Sequence, residues 1–403
     1  MTGLPDEVRR RLQSQTTQLW SPPGVIDLGI GQPQNEILPL ELFSAALARA
    51  ATGRQRYPLQ YGIERGDGYL RAALSDFLTE QQALTGTTVG QIDPDLILVT
   101  NGNSQAIDLC CATFTRPGDV VLVEEPTYFL ALKIFRDHGL TVVGVPVDED
   151  GLRIDALEEA LARHRPALVY TIPAGHNPTG ATLPEDRRRR LVELAAEHGT
   201  LVLADEVYHL LRYPTGAGSA VPPGPLPLSS SLDSGVVLSL NTFSKILAPG
   251  LRLGWIQAAE PLLARLEGRG QLVSGGGLNP FSAAIVATLL DDGSAARYLA
   301  ELRVTFAERI TVMDDALRRH LPAQVSYRRP DAGYFFWLRF PDGVDTAEAL
   351  PRARALGSGF QPGRAFSTTG GLPEYLRLSF AYYAAPDLRA AVETLGKVFG
   401  RLI

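Results

Sequence analysis

The sequence predicts an α/β fold: a mostly parallel seven-stranded sheet flanked by helices, with a smaller α+β domain beside it. Three observations predict it. Seven short runs rich in Val, Ile and Leu occur at 96–100, 120–124, 140–145, 167–172, 201–204, 236–240 and 253–256. Several are apolar almost throughout, as in strands buried on both faces of a covered sheet. Helical stretches lie between many of them, the alternation of βα units. From about 281 the pattern changes to long helices and a few strands, such as 334–340 and 375–380.

The elements follow in order. The opening residues predict a helix ending near Trp20, broken by Ser21-Pro22-Pro23-Gly24. The irregular stretch Asp27-Leu28-Gly29-Ile30-Gly31-Gln32-Pro33 comes next. Thr182-Leu183-Pro184-Glu185 has capping-box spacing with Pro in the first turn of a helix. The arginine run 187–190 on that helix reads as a solvated face rather than an anion site. The stretch 213–234, rich in Pro, Gly and Ser, reads as a surface excursion before the next strand. The expected division is 1–50 as an N-terminal segment packing with the small domain, 51–280 as the large domain and 281–403 as the C-terminal small domain.

Composition limits function. The chain has 403 residues, enough for two domains. Hydrophobic residues make 45% and charged residues 20%, so wholesale disorder is excluded. A net charge of −6 does not suggest a nucleic-acid binder. Cys110 and Cys111 are adjacent, so they make neither a disulfide framework nor a metal site. The opening segment has no apolar core after its charges, unlike a secretory signal. No window offers ~20 apolar residues, so no membrane span is expected. A cytoplasmic protein is the resulting expectation. Only Lys133, Lys245 and Lys397 are lysines, and the other 35 basic residues are arginines. Lysine chemistry therefore has three candidates.

Six short motifs carry chemistry. In Thr242-Phe243-Ser244-Lys245, with Arg252 seven residues on, a lysine follows a strand and two hydroxyls. A lysine pocketed there can lose its proton and form a Schiff base. Hydroxyls and a guanidinium suit a phosphate monoester. Alone, such a lysine is more often a surface residue. Asp205, after the run 201–204, stands where α/β sheets bind ligands and needs a cationic partner if buried. A helix N-cap is the alternative. Tyr208 lies one turn on and can bond a phenolate oxygen. Asn177-Pro178-Thr179-Gly180 follows another strand and is on its own a turn. Gly102, Asn103 and Ser104 stand at a strand-to-helix junction, where free N–H groups bind phosphate. Tyr128 follows a further strand and can stack on a flat cofactor, or simply pack. Arg377, on an alternating strand, can clamp a carboxylate bidentately or face solvent.

The order and spacing of these motifs resemble the fold-type-I aminotransferases of class I/II, which use pyridoxal 5′-phosphate. The resemblance extends over nearly the whole chain. Within that family, Leu59-Gln60-Tyr61-Gly62, Gly276-Gly277-Leu278-Asn279-Pro280-Phe281 and the stretch 28–33 are most similar to the branch of 2-aminoadipate and kynurenine aminotransferases. The resemblance implies that Lys245 forms the internal aldimine and shuttles protons. Asp205 would keep the pyridine nitrogen protonated. Asn177 and Tyr208 would bond the ring oxygen and Tyr128 would stack on the ring. Gly102, Asn103, Ser104, Thr242, Ser244 and Arg252 would hold the phosphate. Arg377 would bind the substrate α-carboxylate, with Gly31 closing over it. Tyr61 would reach the phosphate across a homodimer interface. It further implies ping-pong transfer between an L-amino acid and a 2-oxo acid, with neither nucleic acid, membrane nor metal as partner.

Some positions depart from the family pattern. Gly102-Asn103-Ser104-Gln105 replaces a Gly-Ser-Gln-Gln turn, and Asp331-Ala332-Gly333-Tyr334 replaces a Pro-x-Gly-Gly turn. Ala174-Gly175-His176 precedes the Asn177 turn, placing His176 beside the substrate side of the ring, as a tolerated loop variant or a tuned group. Two rival readings follow. A lyase or cyclase acting on S-adenosylmethionine would retain every residue above. The ligand-sensing half of a transcriptional regulator is the other, but about 25 residues before Asp27 are too few for a winged helix.

Overall fold

A computed structural model describes residues 21–53, 57–84, 90–214 and 220–402. The helix expected before Trp20 lies outside them. All seven apolar runs form strands of one large sheet. Its order from one edge is Ile97–Thr100, Gly254–Ala258, Val237–Thr242, Leu201–Asp205, Leu168–Thr171, Val120–Glu125, Thr141–Asp148 and Gly151–Leu152. The five strands from Val237–Thr242 to Thr141–Asp148 are mutually parallel. The strands Ile97–Thr100 and Gly254–Ala258 run antiparallel to their neighbours. The eighth strand was not expected. Gly151–Leu152 folds back on Val147 and Asp148 across a two-residue turn. Two residues leave no recognisable apolar run.

This topology positions the site. Parallel strands end on the same edge of a sheet, so their last residues gather there. Asp148, Glu125, Thr171, Asp205 and Thr242 are those residues. Opposite them lies a second, antiparallel sheet of Ser326–Tyr327, Phe335–Arg339, Tyr375–Ser379 and Gln361–Pro362. The helices Ser294–His320 and Ala385–Phe399 flank it. The short strand Ile26–Asp27 pairs in parallel with Ser358–Gly359, bringing the glycine-rich stretch after it over the gap.

Three local expectations are corrected. The capping box at Thr182 does not form. Helix Glu185–His198 is capped by Pro184 without a side-chain bond. Thr182 Oγ1 instead accepts from Gly175 N at 3.3 Å, and Glu185 Oε2 from Leu226 N at 2.9 Å. The stretch around 213–234 is only partly described, but Leu228–Ser234 is a helical turn that buries Leu228. The arginine run is not one solvated face. Arg187 and Arg190 are ion-paired near the surface, whereas Arg188 is 2% exposed. Arg188 donates to the carbonyls of Leu183, Leu226 and Pro173, and its Nη1 lies 3.6 Å from the buried Glu206. Removing one partner of a buried ion pair leaves the other charge stranded. Arg188→Ala is therefore expected to destabilise the chain by about 3–5 kcal/mol. Denaturant unfolding checks this, and a loss below about 1 kcal/mol would contradict it.

Candidate active site

A cleft of about 460 Å³ opens between the strand ends and the second sheet. Asp27, Gly31, Ser104, Tyr128, Tyr208 and Lys245 are among its lining residues. Lys245 reaches it from a turn after Val237–Thr242. Phe243 anchors that turn by packing on Trp255 at 4.9 Å, both fully buried. Burying such a phenyl ring stabilises by about 1.5–3 kcal/mol. Lys245 Nζ lies 3.3 Å from Gly31 O and within 5.8 Å of the Tyr208 and Tyr334 rings. Burial, with help from Arg377 and Arg252, pushes its amine down to about 8, against the opposing charge of Asp205. The other lysines are elsewhere. Lys133 pairs with Asp137 and Lys397 with Glu393, all four at the surface.

Asp205 is the last residue of its strand and is buried. It accepts from Tyr170 Oη at 2.7 Å and from Asn103 Nδ2 at 2.6 Å. Burial pushes its carboxyl up to about 6, while the Tyr170 bond and the Lys245 charge hold it from going higher. Burial also pushes the Tyr128 phenol up to about 12.

Arg377 is 3% exposed and points into the cleft rather than to solvent. Its Nη1 donates to Asn177 Oδ1 at 2.9 Å and its Nη2 to Gly29 O at 2.7 Å. The guanidinium lies 4.0 Å over the Phe335 ring. Burial pushes its pKa down to about 10. Gly31 packs closely on the ring beneath Arg377, since a Cβ there would stand 3.1 Å from Phe335 Cζ and press it aside by a few tenths of an ångström.

At the other end, helix Asn103–Phe114 starts beneath Arg252. Gly102 has φ +76°, and a Cβ on it would meet Arg252 Nη2 at 3.0 Å. The glycine therefore lets the guanidinium sit at the helix N-terminus. Thr242 Oγ1 lies 2.9 Å from Ser244 Oγ beside it. A helix start, an arginine and hydroxyls make a cradle for a phosphate.

Not every expected residue sits as the sequence suggests. Asn103 turns its side-chain amide to Asp205, and its backbone N–H, in the helix's first turn, is open to an anion. Tyr61 is outside the cleft and 84% exposed, beside an apolar groove lined also by Ile63, Tyr69 and Leu278. His176 is not in the cleft wall. Its Nδ1 accepts from Thr179 N at 3.3 Å, and its Nε2 lies 3.0 Å from Glu124 Oε2. Nε2 makes no hydrogen bond despite that proximity. His176 thus braces the turn carrying Asn177 from behind.

Sequence reasoning missed Tyr170, Phe335 and the Arg354–Asp27 pair at 3.3 Å in the cleft wall. A tyrosine in an otherwise aliphatic strand was a usable signal, since a buried phenol needs a hydrogen-bond partner.

A family model described as aminotransferase class I and II matches residues 23–395. The chain belongs to that family. The aminotransferase is 33% identical over 378 residues to aromatic-amino-acid aminotransferase 1 of Thermococcus litoralis, covering 93% of this chain and 87% of that one. Its fold matches the kynurenine aminotransferase of Pyrococcus horikoshii, in complex with PMP, at TM-score 0.84 and 30% identity, covering 100% and 96% of the two chains. It matches the alpha-aminoadipate aminotransferase of Thermus thermophilus, complexed with N-(5′-phosphopyridoxyl)-L-leucine, at 0.83 and 31%, covering 98% of each. The aminotransferase uses pyridoxal 5′-phosphate and acts on an amino acid and a 2-oxo acid. The cleft fits that cofactor. Asn103 Oδ1 and Arg377 Nε are buried without a partner, and Gly102 keeps the cradle open. No helix among the described residues is long and apolar enough to cross a membrane.

Proposed function

We propose that Lys245, Asp205 and Arg377 carry the amino-group transfer in this cleft. The observation behind the reading is their convergence: one lysine of three, the buried Asp205 carboxylate at a strand end and the buried Arg377 guanidinium share a single cavity. Pyridoxal 5′-phosphate supplies an aldehyde that condenses with amines and a protonated ring that accepts an electron pair. Lys245 Nζ would hold the cofactor through its free base, a form that rises as pH passes about 8. The same Nζ, when free, would take the α-proton and give it up again. Asp205, ionised, would hold the ring N–H, Asn177 and Tyr208 would hold the ring oxygen, and Tyr128 would pack against the ring. Gly102, Asn103, Ser104, Thr242, Ser244 and Arg252 would hold the phosphate, with Asn103 acting through its backbone.

Arg377 takes the α-carboxylate, its plane held by Phe335 below and Asn177 beside, and Gly31 covers it. Lysine keeps the charge but loses the planar fork. Arg377→Lys is therefore expected to raise KM for the amino acid by about 10–100-fold, with less effect on kcat. Steady-state kinetics checks this, and an unchanged KM would remove Arg377 from the role.

The working unit is a homodimer in this reading. Tyr61, Ile63 and Tyr69 are all exposed along the apolar groove, a patch of the kind that marks an interface. Tyr61 would reach the partner's phosphate from there. The division at 1–50, 51–280 and 281–403 is supported by the two sheets and by the pairing of Ile26–Asp27 with Ser358–Gly359. The buried free thiols Cys110 and Cys111 fit a cytoplasmic setting.

A further inference from the structure

Tyr170 sits one strand away from the carboxylate of the site. Its strand Leu168–Thr171 runs parallel to Leu201–Asp205, with Tyr170 opposite Leu203. The phenol is fully buried and meets the Phe135 ring edge-on at 5.3 Å. It does not line the cleft, yet its Oη donates to Asp205 Oδ2 at 2.7 Å. Burial, reinforced by the Asp205 charge, pushes its pKa well above the ordinary tyrosine value. The phenol therefore remains a donor throughout the neutral range. Asn103 donates to the other oxygen, Oδ1, at 2.6 Å. Two donors from two different elements fix the carboxylate plane and favour its charged form.

We propose that Tyr170 is a positioning residue that holds Asp205 ionised and oriented toward the cofactor ring. The inference rests on the reading of Asp205 as the partner of the ring nitrogen. The charge of Asp205 is then set from within the sheet, not only from the cleft wall.

A neutral Asp205 cannot neutralise a protonated ring, so cofactor retention should fail on the acid side as Asp205 takes up its own proton. The titratable groups facing Asp205 are Tyr170, Tyr128, Tyr208 and Lys245. The tyrosines are pushed above their ordinary values and Lys245 stands at about 8, so the acid limb belongs to Asp205. Removing the Tyr170 donor destabilises the carboxylate form and moves that limb upward.

The test is dialysis of the holoenzyme at intervals from about pH 5 to 8, with retained cofactor read by absorbance and folding by thermal melting. Tyr170→Phe should raise the pH of half-retention by about one unit and lower kcat more than it raises KM. Tyr170→3-fluorotyrosine, a stronger donor of nearly the same shape, should move half-retention down, and it keeps the test open where the phenylalanine variant does not fold. The same half-retention pH in wild type and both variants would overturn the proposal. Asp205→Asn separates the two levels. If it weakens retention while Tyr170 variants shift nothing, only the role of Tyr170 falls. If it retains cofactor like wild type, the reading of Asp205 falls and takes the proposal with it.

Discussion

Replacing Lys245 with alanine is expected to lower kcat by about 10⁴-fold or more, since it removes both the attaching amine and the proton carrier. No other lysine can substitute. Lys133 and Lys397 are paired at the surface with Asp137 and Glu393. Nor is another base well placed, for Tyr208 and Tyr334 flank Nζ with phenols pushed above their ordinary pKa by burial. The chemical check is borohydride reduction followed by peptide mass analysis. Wild type should carry the cofactor fixed on Lys245 and the alanine variant on no residue. A variant that still turns over at more than about one hundredth of the wild-type rate would show that another group moves the proton.

Asp205→Asn is expected to cost about 10²–10³-fold in kcat. The substitution keeps size and two hydrogen-bonding atoms but removes the charge that balances a protonated ring. In a buried position that charge acts with little solvent screening. The electron pair released from the substrate α-carbon then meets a ring less able to accept it. KM should change much less, because Arg377, which would bind the substrate carboxylate, is untouched. Single-turnover rates with one amino acid measure the effect. Equal rates in wild type and variant would mean that the charge of Asp205 takes no part.

Much of this site was legible in the sequence because strand ends announce themselves. Asp205, Thr242 and Asn177 each follow an apolar run, and a parallel sheet brings such positions to one edge. Lys245 and Arg377 were legible through their flanking motifs, and lysine scarcity sharpened the first. What stayed hidden was whatever depends on side-chain direction. Tyr170 and Glu124 lie on strands where an aromatic or acid reads as packing or surface. His176 lies next to Asn177 in sequence, but the turn aims it backwards at Glu124, and spacing does not encode that direction. Asn103 was rightly placed at the helix start, yet its amide turns to Asp205. Arg188 read as a solvated residue because its three neighbours are arginines, although one face of helix Glu185–His198 is buried. The two-residue strand Gly151–Leu152 was too short to leave a pattern.

The most direct measurement is a half-reaction. Holoenzyme would be mixed with single amino acids, without any 2-oxo acid acceptor, and the products counted per site. The account predicts one equivalent of the matching 2-oxo acid per site for the preferred donor. The amino group should stay on the protein until an acceptor is added. Free ammonia released with continuous turnover in the absence of an acceptor would contradict it, and would assign the cleft to elimination instead.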